Sequence, residues 1–168
     1  MTTLTWNAEL ALGHGPMDHT HEEFVALLRA AQAALGESRA VALSAYEALV
    51  AHTIEHFGQE DRWMAATGFA PENCHTFQHT QVLGVMHEVV RYAREQGDYG
   101  PLERVLPELA VWFPAHAQTM DAALASHLDA VGHDSTTNAV ARPPAAQGMT
   151  GCGGASCSPA PAPQGASA

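Results

Sequence analysis

Residues 38–68 read "SRAVALSAYEALVAHTIEHFGQEDRWMAATG" and predict one long helix, which sets the scale of the fold. Ser38 is a good N-cap residue, because its hydroxyl can accept a hydrogen bond from a backbone N–H of the first turn. Gly68 suits the position just after the last turn, where left-handed backbone is common. The segments on either side carry helical signals of the same kind.

A first helix is predicted from Met17 onward, where "MDHTHEEFVALLRAAQAALG" repeats apolar residues at helical spacing and ends at Gly36. A third helix is predicted after the long one. Pro71 suits its first helical position, Glu72 complements the positive end of its dipole, and Gly97 stops it.

The fourth segment, roughly 101–130, contains Pro107 and Pro114. A proline inside a helix loses a backbone hydrogen bond and its ring clashes with the preceding turn. We therefore expect a short helix up to about residue 106, then a main helix that starts near Pro107 and is kinked at Pro114.

These segments predict an all-α fold, an up-down-up-down four-helix bundle with a short N-terminal arm. No segment alternates convincingly between apolar and polar residues, as a half-buried strand would. The bundle is predicted to span residues 1–130. Residues 131–168 are rich in Ala, Pro, Gly and Ser and have few large apolar side chains, so we expect a disordered tail.

The net charge is −11, from 18 acidic and 7 basic residues. Such a surface repels phosphate backbones and anionic lipid headgroups, so nucleic acid and membranes are not expected as partners. The N-terminus lacks a basic region followed by a continuous apolar stretch, and a cytoplasmic location is expected. The three cysteines do not form the pattern of a disulfide framework.

Eleven histidines are the most unusual feature of the composition. A single pair of histidines at helical spacing is weak evidence in such a chain, but each predicted helix contributes one group of possible metal ligands. The groups are Asp18 with His21, His56 with Glu60, His75 with His79, and His116 with Asp121.

The spacing within each group decides which way the side chains point. Residues four apart lie on one face of a helix, so the pairs of the second and third helices can each present two donors to an interior site. His116 and Asp121 are five apart, which rotates them by about 140° in an α-helix. Asp121 is therefore expected to approach from a different side than His116, as suits a carboxylate that spans two ions.

The motifs "MDHTHEEF", "HFGQEDRWM" followed by "GFAP", "CHTFQHTQVL" and "WFPAHAQTMD" resemble, in order and spacing, the signatures of single-domain bacterial members of the hemerythrin family. The resemblance covers about residues 6–130. It implies two non-haem iron ions, one bound by three histidines and the other by two, with two carboxylates and a solvent oxygen as bridges. The implied ligands are His75, His79 and His116 for one iron, His21 and His56 for the other, and Glu60 and Asp121 as bridges.

The resemblance also implies a function, because a count of bonds leaves one coordination position open on the two-histidine iron. Reversible binding of dioxygen there, for carriage, storage or delivery, is the expected activity, in a binding protein rather than an enzyme. Residues beside the matching ligands are candidates for the walls of a dry oxygen pocket. Pro114, two residues before His116, departs from the motif of the family. The pocket candidates are Phe57, Trp112, Phe113 and Ala117.

Other interpretations of the same residues stay open. One alternative function is a sensor of oxygen, nitric oxide or iron, and another is a di-iron peroxidase or nitric oxide reductase. A ferritin-like carboxylate site would need Glu-x2-His twice, and only Glu72 with His75 offers it convincingly.

Several further residues are not expected to bind the metal. His52 is interpreted as a neighbour of the site or a solvated residue, Asp18 as a helix N-cap, and Cys74 as a packing thiol. Cys152 and Cys157 in the tail are either incidental thiols or a redox-active or metal-collecting pair. The remaining histidines are expected at solvated or edge positions: His14, His19, His87, His127 and His133.

Overall fold

The computed structural model describes residues 3–69 and 73–142, and within these ranges the chain forms four long helical segments that pack antiparallel. The predicted all-α four-helix bundle, preceded by an arm without helix, is therefore confirmed. No helix of the described ranges is long and apolar enough to cross a membrane. The elements are α1 (Gly15–Ala34), α2 (Arg39–Thr67), α3 (Cys74–Arg91), α4 (Gly100–His116), α5 (Ala122–Val131), β1 (His133–Asp134) and β2 (Ala139–Val140).

Helix α2 begins and ends where local chemistry predicts. The Ser38 hydroxyl accepts a hydrogen bond from the Val41 N–H at 3.3 Å. Gly68 has a φ of 68°, in the left-handed region where a Cβ would be strained, and its N–H bonds back to the Met64 carbonyl. Both predicted ends of this helix are confirmed.

Helix α1 begins two residues before the predicted Met17, and its N-cap is His14 rather than Asp18. The Nδ1 atom of His14 accepts a hydrogen bond from the Met17 N–H at 3.3 Å. The Asp18 carboxylate turns back instead and accepts hydrogen bonds from the N–H groups of Leu12 and Gly13, at 2.7 and 3.0 Å. The predicted capping role of Asp18 is wrong, because this carboxylate fixes the arm.

Helix α3 begins at Cys74, not at Pro71, and Asn73 caps it by accepting from the Thr76 N–H at 3.0 Å. Pro71 and Glu72, the residues predicted in the first turn, lie outside the described residues. Cys74, which the sequence predicts to pack in the interior, is buried at the start of this helix. The helix continues into a π turn, Tyr92–Gln96, and ends as predicted at Gly97, whose φ is 66°.

The fourth helical segment does not break at Pro107, and that prediction is wrong. Helix α4 runs through Pro107 and Pro114 to His116 and passes directly into a second π turn, Ala117–Asp121. The turn before Pro107 includes the exposed Glu103, on a side where water can hydrate a carbonyl that has lost its helical partner. The segment then continues as α5.

After α5 the chain forms a small hairpin, in the region that the sequence predicts as the start of the disordered tail. Gly132 has a φ of 62° and turns the chain into β1, and His133 pairs with Val140 in an antiparallel register. Residues 143–168, with Cys152 and Cys157, lie outside the described residues.

The apolar core consists of two clusters, with a layer of polar residues between them along the bundle. On α1, for example, His21 lies between Met17 of one cluster and Phe24 of the other. The larger cluster includes Phe24, Leu28, Tyr46, Leu49, Met86, Leu102, Leu106 and Phe113. The smaller one comprises Met17, Trp63, Met64, Phe69, Leu124, Ala125 and Leu128.

Candidate metal centre

The polar layer contains all seven metal ligands that the sequence predicts, brought together from four helical segments. They are buried almost completely, with exposed fractions between 0% and 3%. Burying so many ionisable groups is costly unless they are paired or bind a metal. The seven are His21 on α1, His56 and Glu60 on α2, His75 and His79 on α3, His116 at the end of α4, and Asp121 at the end of the second π turn.

The two oxygens of Glu60 face different histidines. Oε1 lies 3.2 Å from Nε2 of His56 and 3.9 Å from Nε2 of His21. Oε2 lies 3.2 Å from Nε2 of His79 and 3.3 Å from Nε2 of His75. This carboxylate therefore divides its oxygens between a pair of histidines and a second group on α3.

Asp121 divides its oxygens in the same way. Oδ2 lies 3.2 Å from Nε2 of His21, whereas Oδ1 lies 2.8 Å from Nε2 of His75 and 3.1 Å from Nε2 of His116. Two groups of donors result, with the two carboxylates between them. We call them the three-histidine group (His75, His79 and His116) and the two-histidine group (His21 and His56).

The geometry of this cluster fits metal ions. Neighbouring ligands of an octahedral ion with bonds of about 2.1 Å lie about 3 Å apart, as do most of these nitrogens and oxygens. Seven atoms at the contacts between histidines and carboxylates form no hydrogen bond within the described residues. They are the Nε2 atoms of His21, His75, His79 and His116, Oε2 of Glu60, and both carboxylate oxygens of Asp121.

The second π turn explains how His116 and Asp121 reach the same site. In a π turn the backbone bonds run from residue i to residue i+5, so a residue five positions on lies about one turn along the same face. The N–H of Ala122 bonds to the carbonyl of Ala117 in this manner. The expected 140° rotation is therefore wrong, because it assumed α-helical geometry.

The histidines hold both carboxylates in the ionised form. Burial acts to raise the pKa of Glu60, as does the charge of Asp121, but the surrounding histidines outweigh them and hold it well below its usual range. Burial likewise opposes ionisation of Asp121, and contacts with His116, His21 and His75 lower its pKa well below its usual range. Two carboxylate anions are thus in place between the groups.

The histidines of the three-histidine group differ from one another in pKa. Burial acts to lower the pKa of His75, yet its contacts with Asp121 and Glu60 raise it to about 9. Burial opposes protonation of His79 too, but Asp61 and Glu60 raise its pKa. The pKa of His116 is lowered, chiefly by burial. Metal binding at this group must therefore displace protons.

Two residues that the sequence motifs do not indicate contact Nδ1, the outer ring nitrogen, of two candidate ligands. Nδ1 of His79 lies 3.1 Å from Oδ1 of Asp61, and Nδ1 of His116 lies 3.0 Å from Oε1 of Gln78. Both partners adjoin candidate ligands in the chain, Asp61 after Glu60 and Gln78 before His79. Adjacency alone does not predict such contacts, because they depend on how the helices are rotated against each other.

The predicted pocket residues pack around the cluster. Phe113, fully buried, meets His21 edge-on at 5.2 Å between ring centroids. Phe57 stacks on His79 at 3.9 Å, and Trp112 stacks on His116 at 4.5 Å. Ala117 is also fully buried.

His52 lies outside the cluster. Its Nε2 is 3.1 Å from the Thr20 carbonyl, and its ring centroid is 6.0 Å from that of His56. It therefore lies next to His56 in space without belonging to the two donor groups. The other histidines that were not expected as ligands are not part of the two donor groups: His14, His19, His87, His127 and His133.

Comparisons with known proteins agree with this geometry. The family model described as the hemerythrin HHE cation binding domain matches residues 14–128. Bacteriohemerythrin of Ralstonia nicotianae is 37% identical over 141 residues, which cover 84% of this chain and 100% of that protein. No solved structure matches the chain.

Proposed function

This chain belongs to the hemerythrin family, and on that premise we propose that its buried cluster binds two iron ions and that the loaded protein binds dioxygen reversibly. When bound, two ferrous ions supply the electrons that reversible dioxygen binding requires. Everything else must come from the protein: the donor atoms, their spacing, and an environment that keeps water away.

The division of the carboxylate oxygens is the observation that carries this proposal. Each carboxylate presents one oxygen to the three-histidine group and the other to the two-histidine group. An arrangement of this kind suits two ions side by side, since a single ion cannot lie near both ends of the cluster. The five imidazoles and two carboxylates are also donors that iron accepts.

The two donor groups are unequal, and this supports a place for a small ligand. With one oxygen from Glu60 and one from Asp121, the three-histidine group offers five donors. With the other two oxygens, the two-histidine group offers four. An ion held by the two-histidine group has the more incomplete set of protein donors, so we assign dioxygen to that side.

Apolar residues beside the two-histidine group can keep it dry. The edge-on Phe113 is itself stacked on Phe24 at 4.4 Å, and both rings are fully buried. Phe57 lies 5.4 Å from His56, again between ring centroids. A dry site strengthens electrostatic interactions and suppresses side reactions with water and protons. These contacts support Phe57 and Phe113 as pocket walls, with Trp112 behind His116. Ala117, fully buried and next to His116 in the chain, is proposed with them.

Counting metal and gas tests the proposal. Protein loaded with ferrous iron under anaerobic conditions should retain two irons per chain and then take up one dioxygen per two irons, released again under vacuum. Glu60→Gln should lose iron, because it removes the charge of a carboxylate that would contact both ions. Glu55→Gln, the same change at an exposed position of α2, serves as the control. One iron or none in the wild-type protein would refute the proposal.

A further inference from the structure

The five candidate histidine ligands differ in whether Nδ1, the ring nitrogen that faces away from the carboxylates, has a hydrogen-bond acceptor. All five histidines turn Nε2 toward the carboxylates, so each needs its proton on Nδ1 to offer a lone pair to a metal. His79 and His116 have an acceptor for that proton. Within the described residues, Nδ1 of His21, His56 and His75 has none. Among the described residues, acceptors for Nδ1 are thus confined to the three-histidine group.

Asp61 differs from Gln78, the other acceptor, because its side chain carries a charge. Its carboxylate is about half exposed, at 47%, and accepts from Nδ1 of the buried His79, whereas His116 donates to the neutral amide oxygen of Gln78. A carboxylate partner draws the Nδ1 proton toward itself and makes the opposite nitrogen a stronger donor. His79 is the only candidate ligand with such a partner among the described residues.

Asp61 also completes the positioning of the His79 ring. Phe57 stacks on that ring with an angle of 5° between the planes, which fixes the ring plane. A 180° flip of the imidazole keeps the same plane, so stacking alone does not choose between the two orientations. Only a group that distinguishes Nδ1 from the opposite edge can select one orientation. Asp61 does so at Nδ1, opposite the contact of Nε2 with Glu60, and because it belongs to α2, it also ties α2 to the candidate ligand on α3.

We propose that Asp61 is a positioning residue that holds His79 with Nε2 toward the metal and strengthens its donation, so that the ion at the three-histidine group binds more tightly and is oxidised more easily. This inference rests on the proposed two-metal site, but not on dioxygen binding. It makes the two ions unequal in a second way, beyond the number of protein donors.

Chelator competition on three variants tests the inference. Asp61→Ala removes the acceptor and should weaken binding of one of the two ferrous ions by about 10- to 100-fold, the usual effect of losing such a partner. Asp61→Asn keeps an acceptor but loses the charge, so it should weaken metal binding less than Asp61→Ala does. The reduction potential of iron bound to this variant should be more positive than in the wild type. Glu55→Gln, with the same charge change elsewhere on α2, should bind both ions like the wild type.

A spectroscopic readout separates positioning from a general loss of stability. In the Co²⁺-loaded protein, proton NMR should show shifted ring N–H signals, and those of His79 and His116 should exchange slowly with water. One of them should move in Asp61→Asn and exchange fast in Asp61→Ala. Unchanged signals and affinities in both variants would overturn the inference.

The two proposals fail differently. If the protein binds two ions but takes up no dioxygen, the proposed function fails, and the comparison of Asp61 variants still decides the role of this residue with Co²⁺ alone. If wild-type protein binds neither Fe²⁺ nor Co²⁺, both proposals are refuted.

Discussion

Removing the metal should destabilise this bundle strongly. Seven buried atoms of the cluster form no hydrogen bond with the part of the protein that the structure describes, and without metal ions they would have no partner there. A buried polar atom without a hydrogen bond costs about 1–3 kcal/mol, so seven of them would cost roughly 7 kcal/mol or more. Protonation of histidines such as His75 beside the two carboxylates recovers part of this. If about three of the seven atoms stay unpaired, the net loss is about 3 kcal/mol, a large share of the 5–15 kcal/mol that stabilises a typical domain.

For a domain of this size, a loss of about 3 kcal/mol corresponds to a decrease of roughly 10 °C in the melting temperature. Thermal unfolding followed by circular dichroism, on anaerobic iron-loaded protein and on protein stripped with a chelator, measures the difference. Reloading the stripped sample should restore the higher value. Melting temperatures that agree within about 3 °C would show that the cluster is satisfied without metal, and the reasoning would be wrong.

Four further predictions concern single residues. His52→Gln should leave the iron content near normal and His56→Ala should lower it, as measured by elemental analysis; equal losses would mean that His52 is a ligand. Metal uptake at pH 7 should release a proton from His75, whose pKa is about 9 without metal, so uptake strengthens as the pH rises toward 9. Calorimetry in buffers of different ionisation heat measures this release, and the absence of net release would contradict it. Phe113→Leu should speed oxidation of the loaded protein in air, followed by absorption, because a smaller side chain beside His21 admits water; an unchanged rate would remove the dry-pocket argument. Gly68→Ala should lower the free energy of unfolding by about 1 kcal/mol in urea titrations, because its φ of 68° strains a Cβ, while two irons are retained; a stability equal to that of the wild type would speak against this helix end.

The ends of helix α2 could be predicted from the sequence because they depend on residues close together in the chain. Ser38 and Gly68 act at the ends of α2 as their side chains and backbone preferences require. Pro107 was misinterpreted for the same kind of reason, since its intrinsic cost in a helix is real but is outweighed by the packing of α4. Asp18 was misplaced because its carboxylate has a competing partner in the arm.

The candidate site could be predicted as a set of residues but not as a geometry. Helical spacing grouped His56 with Glu60 and His75 with His79, and the structure brings both pairs into the cluster. The direction of Asp121 was wrong because a π turn cannot be recognised from a spacing of five alone. Asp61 was missed because its contact depends on the rotation of α2 against α3, which only tertiary packing determines.

Cycling the gas over the iron-loaded protein tests the central claim most directly. The account predicts that a visible absorption band appears when oxygen is admitted to the anaerobic diferrous protein, disappears when the gas is removed, and returns with nearly its full amplitude over several cycles. A single conversion to a stable oxidised spectrum that does not respond to removal of oxygen would contradict reversible binding and favour an enzymatic or sensing role.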